Sequence, residues 1–63
     1  MIPVFVQPPN QPDMASHVCD VEQDDGKRDV IAHVISTTGI DPARVVDAKL
    51  VRGERQRWLV VAI

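Results

Sequence analysis

The last third of the chain, residues 43 to 63, constrains the fold more than any other segment. Two runs rich in β-branched residues, 45 to 51 and 58 to 63, flank a short charged stretch, 52 to 57. Such runs favour β-strands, and Gly53 between them can supply the positive φ that a tight reversal of the chain requires. The sequence therefore predicts a C-terminal β-hairpin with a basic tip.

The register of this hairpin has two alternatives, which differ in where they place the only tryptophan. A four-residue loop, 52 to 55, puts Trp58 on the same face as Lys49 and away from Ala48. A shift of one residue turns Trp58 into the core, because successive side chains of a strand point to opposite faces. The unbroken apolar run 58 to 63 is typical of a central strand covered on both sides, and a second copy of the protein could provide one of the two covers.

The N-terminal part of the chain predicts one or two further strands. Residues 2 to 7 are apolar and β-branched, and Pro3 confines this strand to a sheet edge or to a position whose N–H is not needed. The proline-rich segment 8 to 16 predicts an extended, exposed loop. Residues 17 to 22 alternate weakly between apolar and polar side chains and predict a second strand.

Residues 27 to 38 predict a single helix. Its apolar stripe is formed by four residues of helical spacing: Val30, Ile31, Val34 and Ile35. Asp24 or Asp25 is expected to cap the first turn, and Gly39 to end the helix. A helix of this length is not stable alone in water, so we expect the stripe to pack on the sheet.

These elements predict one small α+β domain in the order β-(β)-α-β-β, with one helix packed on a three- to four-stranded, mainly antiparallel sheet. A chain of 63 residues buries only about 60 % of its unfolded surface, so the core is expected to be thin. Cys19 is the only cysteine and cannot form a disulfide within the chain. Self-association or a larger partner is the remaining way to stabilise such a domain.

Composition also indicates the cellular compartment. A lone cysteine fits a reducing environment, and the N-terminal residues lack the basic and apolar segments of a signal peptide. No apolar run approaches the roughly 20 residues that a membrane-spanning helix needs. We therefore expect a cytoplasmic protein that does not act in a membrane.

The net charge of −2 conceals an asymmetry along the chain. Residues 13 to 25 contain five carboxylates and neither lysine nor arginine, whereas residues 44 to 57 are predominantly basic. Clustered charge of one sign attracts partners of the other sign. The predicted partner-binding residues lie in the basic segment: Arg44, Lys49, Arg52, Arg55, Arg57 and Trp58.

The basic hairpin has three interpretations. Its charges can simply stay in solvent and keep a sheet edge from aggregating, as they do in many natural sheets. A two-stranded ribbon also fits the major groove of DNA, where Trp58 could stack on a base or on Lys49. The overall acidity of the chain counts against DNA. An acidic protein partner is the third interpretation.

No catalytic, cofactor-binding or metal-binding residue is predicted. Zinc needs three or four ligands, and only His33 could join His17 and Cys19, which lie two apart and would share a strand face. A cysteine–histidine catalytic pair has no sign of an oxyanion hole, so Cys19 is better interpreted as a structural residue. The acidic stretch 20 to 26 resembles a calcium loop only superficially, because Asp25 occupies the place of its glycine.

The sequence thus favours a small, non-enzymatic protein–protein interaction module without a small-molecule substrate, acting on another protein and as a homodimer. An accessory protein or inhibitor of a bacterium or its phage fits this size and composition. The alternative is a small nucleic-acid-binding regulator that uses the same basic hairpin.

Overall fold

One helix packs on one face of a four-stranded mixed sheet in the computed structural model, which describes all 63 residues. The strands are β1 (Ile2–Gln7), β2 (Ser16–Val21), β3 (Val45–Val51) and β4 (Arg57–Ala62), and the helix is α1 (Lys27–Thr38). The strand order across the sheet is β2-β1-β4-β3. The predicted α+β class, the C-terminal hairpin and the single helix are confirmed. The helix is neither long nor apolar enough to cross a membrane.

Pairing in the sheet joins the two ends of the chain. β1 pairs antiparallel with β2, β3 pairs antiparallel with β4, and β1 and β4 lie parallel to each other at the centre. The last run is a central strand, as predicted, but in one copy the helix covers only one of its two sides. Pro3 is accommodated in a central strand because the pairing of β1 with β4 begins one residue later, at Val4.

The helix begins and ends at glycines. Its N-cap is Gly26, whose N–H donates to the Asp29 carboxylate at 3.0 Å. The predicted caps, Asp24 and Asp25, are wrong: the Asp25 carboxylate instead accepts the Glu22 N–H at 3.0 Å and closes the preceding turn. At the other end Gly39 has φ of 73° and its N–H donates to the Ile35 carbonyl, as predicted for a helix-ending glycine.

The core lies between the helix and the sheet and is thin, since it contains only eight buried residues. The ninth buried residue of the chain is the polar Gln7. Val30 and Val34 of the predicted stripe are fully buried. They pack on a set of sheet residues: Ile2, Val4, Val21, Ala48, Trp58 and Val60. A core of small aliphatic side chains and one tryptophan leaves the opposite face of the sheet without a layer of its own.

The hairpin takes the register that buries its tryptophan. Leu50 pairs with Trp58 and Ala48 with Val60, and the connection between the strands is five residues long, Arg52 to Gln56. Gly53 does not have a positive φ, so the predicted tight reversal at that glycine is wrong. The longer connection spreads the turn over several residues and removes the need for left-handed backbone.

The segment between β1 and β2 is folded back, not extended as predicted. Asn10 has φ of 60°, and the Gln11 N–H donates to the Pro8 carbonyl, which closes a β-turn. A single 3₁₀ turn, Pro12–Met14, follows. The prolines therefore shape a compact corner, because a fixed φ near −65° suits the first position of such turns.

A β-bulge interrupts each of the two antiparallel pairs. In β2, Val4 pairs with Cys19 and Phe5 with His17, so Val18 has no partner. Val46 is the unpaired residue of β3. A bulge reverses which residues share a face, and this decides where the polar side chains of β2 lie.

Candidate docking surfaces

The first candidate surface is the end of the C-terminal hairpin. We use the name basic tip for Arg52 and Arg55 in the connection and Arg57 at the start of β4. All three side chains are exposed, and Lys49 lies two residues before the end of β3. The hairpin thus brings three of the six predicted partner-binding residues, the arginines of the basic tip, to one end of the sheet, whereas Lys49 lies nearer the middle of β3.

The cations of this surface are not neutralised within the chain. Lys27 forms an ion pair with Asp47, and the other close contacts between basic side chains and carboxylates are His17 with Asp20 and His33 with Asp25; none involves the basic tip or Lys49. Glu54 is the one carboxylate in the connection. Unpaired arginines can form planar, bidentate contacts with carboxylates of another molecule at little cost in lost internal contacts.

Arg44 does not join the basic tip. It ends the 3₁₀ turn Pro42–Arg44 before β3, at the opposite end of that strand. Its Nε donates to the carbonyl of Ile63, and the Ile63 N–H donates back to the Arg44 carbonyl at 2.9 Å. These contacts give Arg44 a structural role in closing the sheet beside the last residue of the chain.

Trp58 was predicted to be a partner-binding residue, but the structure buries it. Its side chain is 8 % exposed and faces the helix, whereas Lys49 pairs with Leu59 on the other side of the sheet. The expected stacking of Trp58 on Lys49 is therefore wrong, and a base or a partner protein cannot reach the indole while the domain is folded. Its Nε1–H is buried without an acceptor.

The second candidate surface is the sheet face opposite the helix, which we name the open face. At its centre Phe5 of β1 pairs with Leu59 of β4, and both are half-buried. His17 lies beside Phe5, with their ring centroids 5.5 Å apart, and its Nε2 is 2.9 Å from the Asp20 carboxylate. A hydrogen-bonded histidine and carboxylate therefore border an apolar centre.

A shallow cleft of about 230 Å³ lies on this face. It is lined by residues from both central strands and from the folded corner: Phe5, Gln7, Pro12, Ala15, Arg57 and Leu59. The corner after β1 thus leans over one end of the open face. Arg57 and Gln7 are its polar lining residues, beside the apolar side chains of Phe5 and Leu59.

The sequence did not predict the open face, because the bulge at Val18 changes which residues of β2 lie on it. Without the bulge, His17 and Cys19 share a face; with it, His17 joins Asp20 on the open face while Cys19 turns toward the helix. The predicted common face of His17 and Cys19 is wrong for this reason. Alternation around Val4 and Val60 is the one signal that could have indicated Phe5 and Leu59 as the opposite face.

Cys19 has the properties of a structural thiol. It is half-buried, and burial, together with the neighbouring Asp20 carboxylate, raises its pKa above the ordinary value, although a hydrogen bond with Thr37 acts in the other direction. A raised pKa lowers the fraction of reactive thiolate. His33, on the helix, contacts Asp25 at 3.8 Å and is not brought to Cys19 as part of a group of metal ligands.

Acidic residues lie at the same end of the sheet as the basic tip but at the opposite edge. The connection from β2 to the helix contains the exposed carboxylates of Glu22 and Asp24. A hydrogen bond of 3.0 Å between the side chains of Gln23 and Gln56 joins this connection to the hairpin connection. The acidic and basic segments of the sequence therefore lie on opposite sides of one end of the folded domain.

Comparison of the chain with protein-family models, with curated proteins and with solved structures found no significant match.

Proposed function

We propose that this protein is a small, non-enzymatic interaction module that docks its basic tip on an acidic surface of another protein. The observation that carries the proposal is the convergence of Arg52, Arg55 and Arg57 at one end of the sheet without an ion pair in the chain. Arginine is enriched at protein interfaces, because its guanidinium combines apolar faces with several hydrogen-bond donors. The lone thiol of Cys19 fits action in the cytoplasm.

A protein partner suits this end of the molecule better than a nucleic acid does. A phosphate backbone that spans the sheet end would meet the exposed Glu22 and Asp24 as well as the arginines, because the two connections touch through Gln23 and Gln56. Trp58, the only tryptophan, is buried and cannot stack on a base. A protein surface can present a small acidic patch to the tip alone and leave the acidic connection in solvent.

Capture from lysate of the cells that make the protein tests this function. Tagged wild type is compared with Arg52→Ala/Arg55→Ala, which removes two exposed charges of the tip, and with the matched control Arg28→Ala, which removes one exposed charge from the helix. Each lysate is divided, and one half is treated with nuclease. We expect a stoichiometric protein that the wild type and the control retain after nuclease treatment and the double variant loses.

Two results would overturn the proposal. Equal capture by the double variant would show that the basic tip does not bind the partner. Capture that disappears with nuclease would instead support the nucleic-acid-binding alternative. That alternative also predicts that log affinity falls linearly with log salt concentration, with a slope of several units when several cations meet phosphates.

A further inference from the structure

The open face is laid out in rows that cross all four strands, because residues paired between strands point to the same side of a sheet. The central row, in sheet order, is His17, Phe5, Leu59 and Lys49. The next row, toward the basic tip, is Asp20, Pro3, Arg57 and Val51; Arg57 precedes Trp58, the partner of Val4, and so lies level with Pro3. Each row has an apolar side chain from at least one central strand.

Charge changes sign across these rows. In these two rows Asp20 lies on the β2 side, and the cations Arg57 and Lys49 lie on the side of β4 and β3. Asp47 lies in the third row, level with Val61, and its carboxylate is paired with Lys27 of the helix. The two sides are separated by Pro3 and Phe5 of β1. A surface with an apolar centre, an anion on one flank and cations on the other is complementary to itself when one copy is turned over onto another.

We propose that a second copy of the chain covers the open face, related by a two-fold axis that runs parallel to the strands between β1 and β4. This rotation lays β1 of each copy over β4 of the other, and β2 over β3. Phe5 of one copy then packs on Leu59 of the second copy, and the reverse contact forms by symmetry. Arg57 lies over Pro3 of the second copy, within a side chain's reach of Asp20 in the adjacent strand.

The direction of the axis follows from the charges. A two-fold axis perpendicular to the strands would lay each strand on its own equivalent, so that the two cationic strands β3 and β4 face the same strands of the second copy and Arg57 loses its contact with Asp20. The parallel axis instead brings both Arg57 side chains to carboxylates. Like charges opposed across an interface destabilise it, whereas complementary charges fix its orientation.

The size of the face allows only a weak dimer. The two long dimensions of the whole molecule, 27 and 23 Å, set an upper bound of about 600 Å² per copy, or about 1,200 Å² for both, which is the lower limit for specific interfaces, and the corner after β1 already covers part of the face. Two sheets packed face to face enclose a core about 10 Å thick. Such a core would cover Phe5, Leu59 and Val61, which are only half-buried in one copy.

Complementary charge reversals test this arrangement directly. Arg57→Glu and Asp20→Arg are made separately, and each protein is studied alone and in an equimolar mixture by sedimentation velocity over about a hundredfold range of concentration. Each reversal alone opposes like charges twice in the dimer, so we expect its dissociation constant to rise at least about tenfold. In the mixture every opposed pair has unlike charges, so we expect a heterodimer about as tight as the wild-type dimer.

The controls separate this proposal from the function of the basic tip. Arg52→Ala/Arg55→Ala leaves the open face intact and is expected to dimerise like the wild type, whether or not it still binds a partner protein. Arg28→Glu changes an exposed charge on the helix side and should dimerise normally as well. Circular dichroism confirms that each variant is folded. Asp20→Asn, which keeps a hydrogen-bond acceptor for His17, is the second variant if Asp20→Arg does not fold.

Three results would overturn the dimer. The first is a wild type that stays monomeric at millimolar concentration. The second is dimerisation of Arg57→Glu with the affinity of the wild type, which would place the interface elsewhere. The third is a mixture of the two reversed variants that associates no better than either alone, which would rule out the axis parallel to the strands. If Asp20→Asn replaces Asp20→Arg, the proposed contact between Arg57 and Asp20 requires that this variant dimerise more weakly than the wild type.

Discussion

At the scale of single residues, the indole of Trp58 has a large apolar surface in contact with the core and a polar group without an acceptor. Trp58→Phe removes the unpartnered N–H, which stabilises the folded state, and leaves a small void, which destabilises it. We expect the free energy of unfolding to change by less than about 1 kcal/mol for Trp58→Phe and to fall by about 3–5 kcal/mol for Trp58→Ala. Urea denaturation measures both, and a loss above about 2 kcal/mol for Trp58→Phe would contradict this balance between the void and the unpartnered N–H.

The thiol of Cys19 gives a second prediction at this scale. Burial raises its pKa, so less thiolate is present near neutral pH than in a free cysteine. We expect iodoacetamide to label the folded protein more slowly at pH 8 than it labels the urea-unfolded chain, with the modified fraction followed by mass spectrometry. Labelling that is faster in the folded protein would contradict the structural role of Cys19 and reopen the question of a catalytic or redox thiol.

At the scale of elements, two glycines that resemble each other in the sequence differ in the fold. Gly39 ends the helix with φ of 73°, whereas Gly53 in the hairpin connection has no positive φ, and an added Cβ would meet no atom within 4 Å at either position. Left-handed backbone costs a side chain about 1–2 kcal/mol. We therefore expect Gly39→Ala to lower the free energy of unfolding by about 1 kcal/mol and Gly53→Ala to leave it within about 0.5 kcal/mol. Equal effects in urea denaturation would contradict this assignment of the two backbones.

The contact between Lys27 and Asp47 links the start of the helix to the edge strand β3, with the ammonium 3.1 Å from the carboxylate. This hydrogen bond lowers the pKa of Asp47 below its ordinary value. A group with a lowered folded-state pKa stabilises the fold above its unfolded pKa and loses that contribution as pH falls through the folded value. We expect the pKa of Asp47, measured by NMR titration, to rise in Lys27→Met and to stay low in the control Arg28→Met.

The elements themselves could be predicted because each has a local signal, but the way they meet could not. The apolar stripe around Val30 and Val34 and the two β-branched runs specified the helix and the hairpin. The bulge at Val18 has no such local signal, because it depends on how β2 pairs with β1, and β1 is a separate segment of the chain. The position of Trp58 depended on one residue of register, and a five-residue connection decided it. Of the candidate site, the arginines of the tip were predicted, whereas Phe5, Leu59 and Asp20 of the open face were not.

At the scale of the whole molecule, a helix covers one side of the sheet and only the corner after β1 leans over the other, which leaves a domain with nine buried residues. A second sheet against the open face would add apolar contacts that a single copy cannot make. In the dimer Arg57 of the basic tip contacts Asp20 of the second copy, and the axis between β1 and β4 leaves both hairpin connections, with Arg52 and Arg55, at the end of the assembly to bind the partner protein.

This arrangement predicts that thermal stability depends on protein concentration. Dissociation accompanies unfolding of a dimer, so a tenfold increase in concentration stabilises each copy by about 0.7 kcal/mol, which for a domain of this size raises Tm by about 5 °C. We expect this rise in differential scanning calorimetry of the wild type and of Arg52→Ala/Arg55→Ala. Arg57→Glu should show a Tm that is lower and nearly constant over the same range, because its unfolding is that of a single copy. A wild-type Tm that does not move with concentration would mean that the open face is exposed to water in the native protein, and that the thin core between helix and sheet is sufficient to hold the fold.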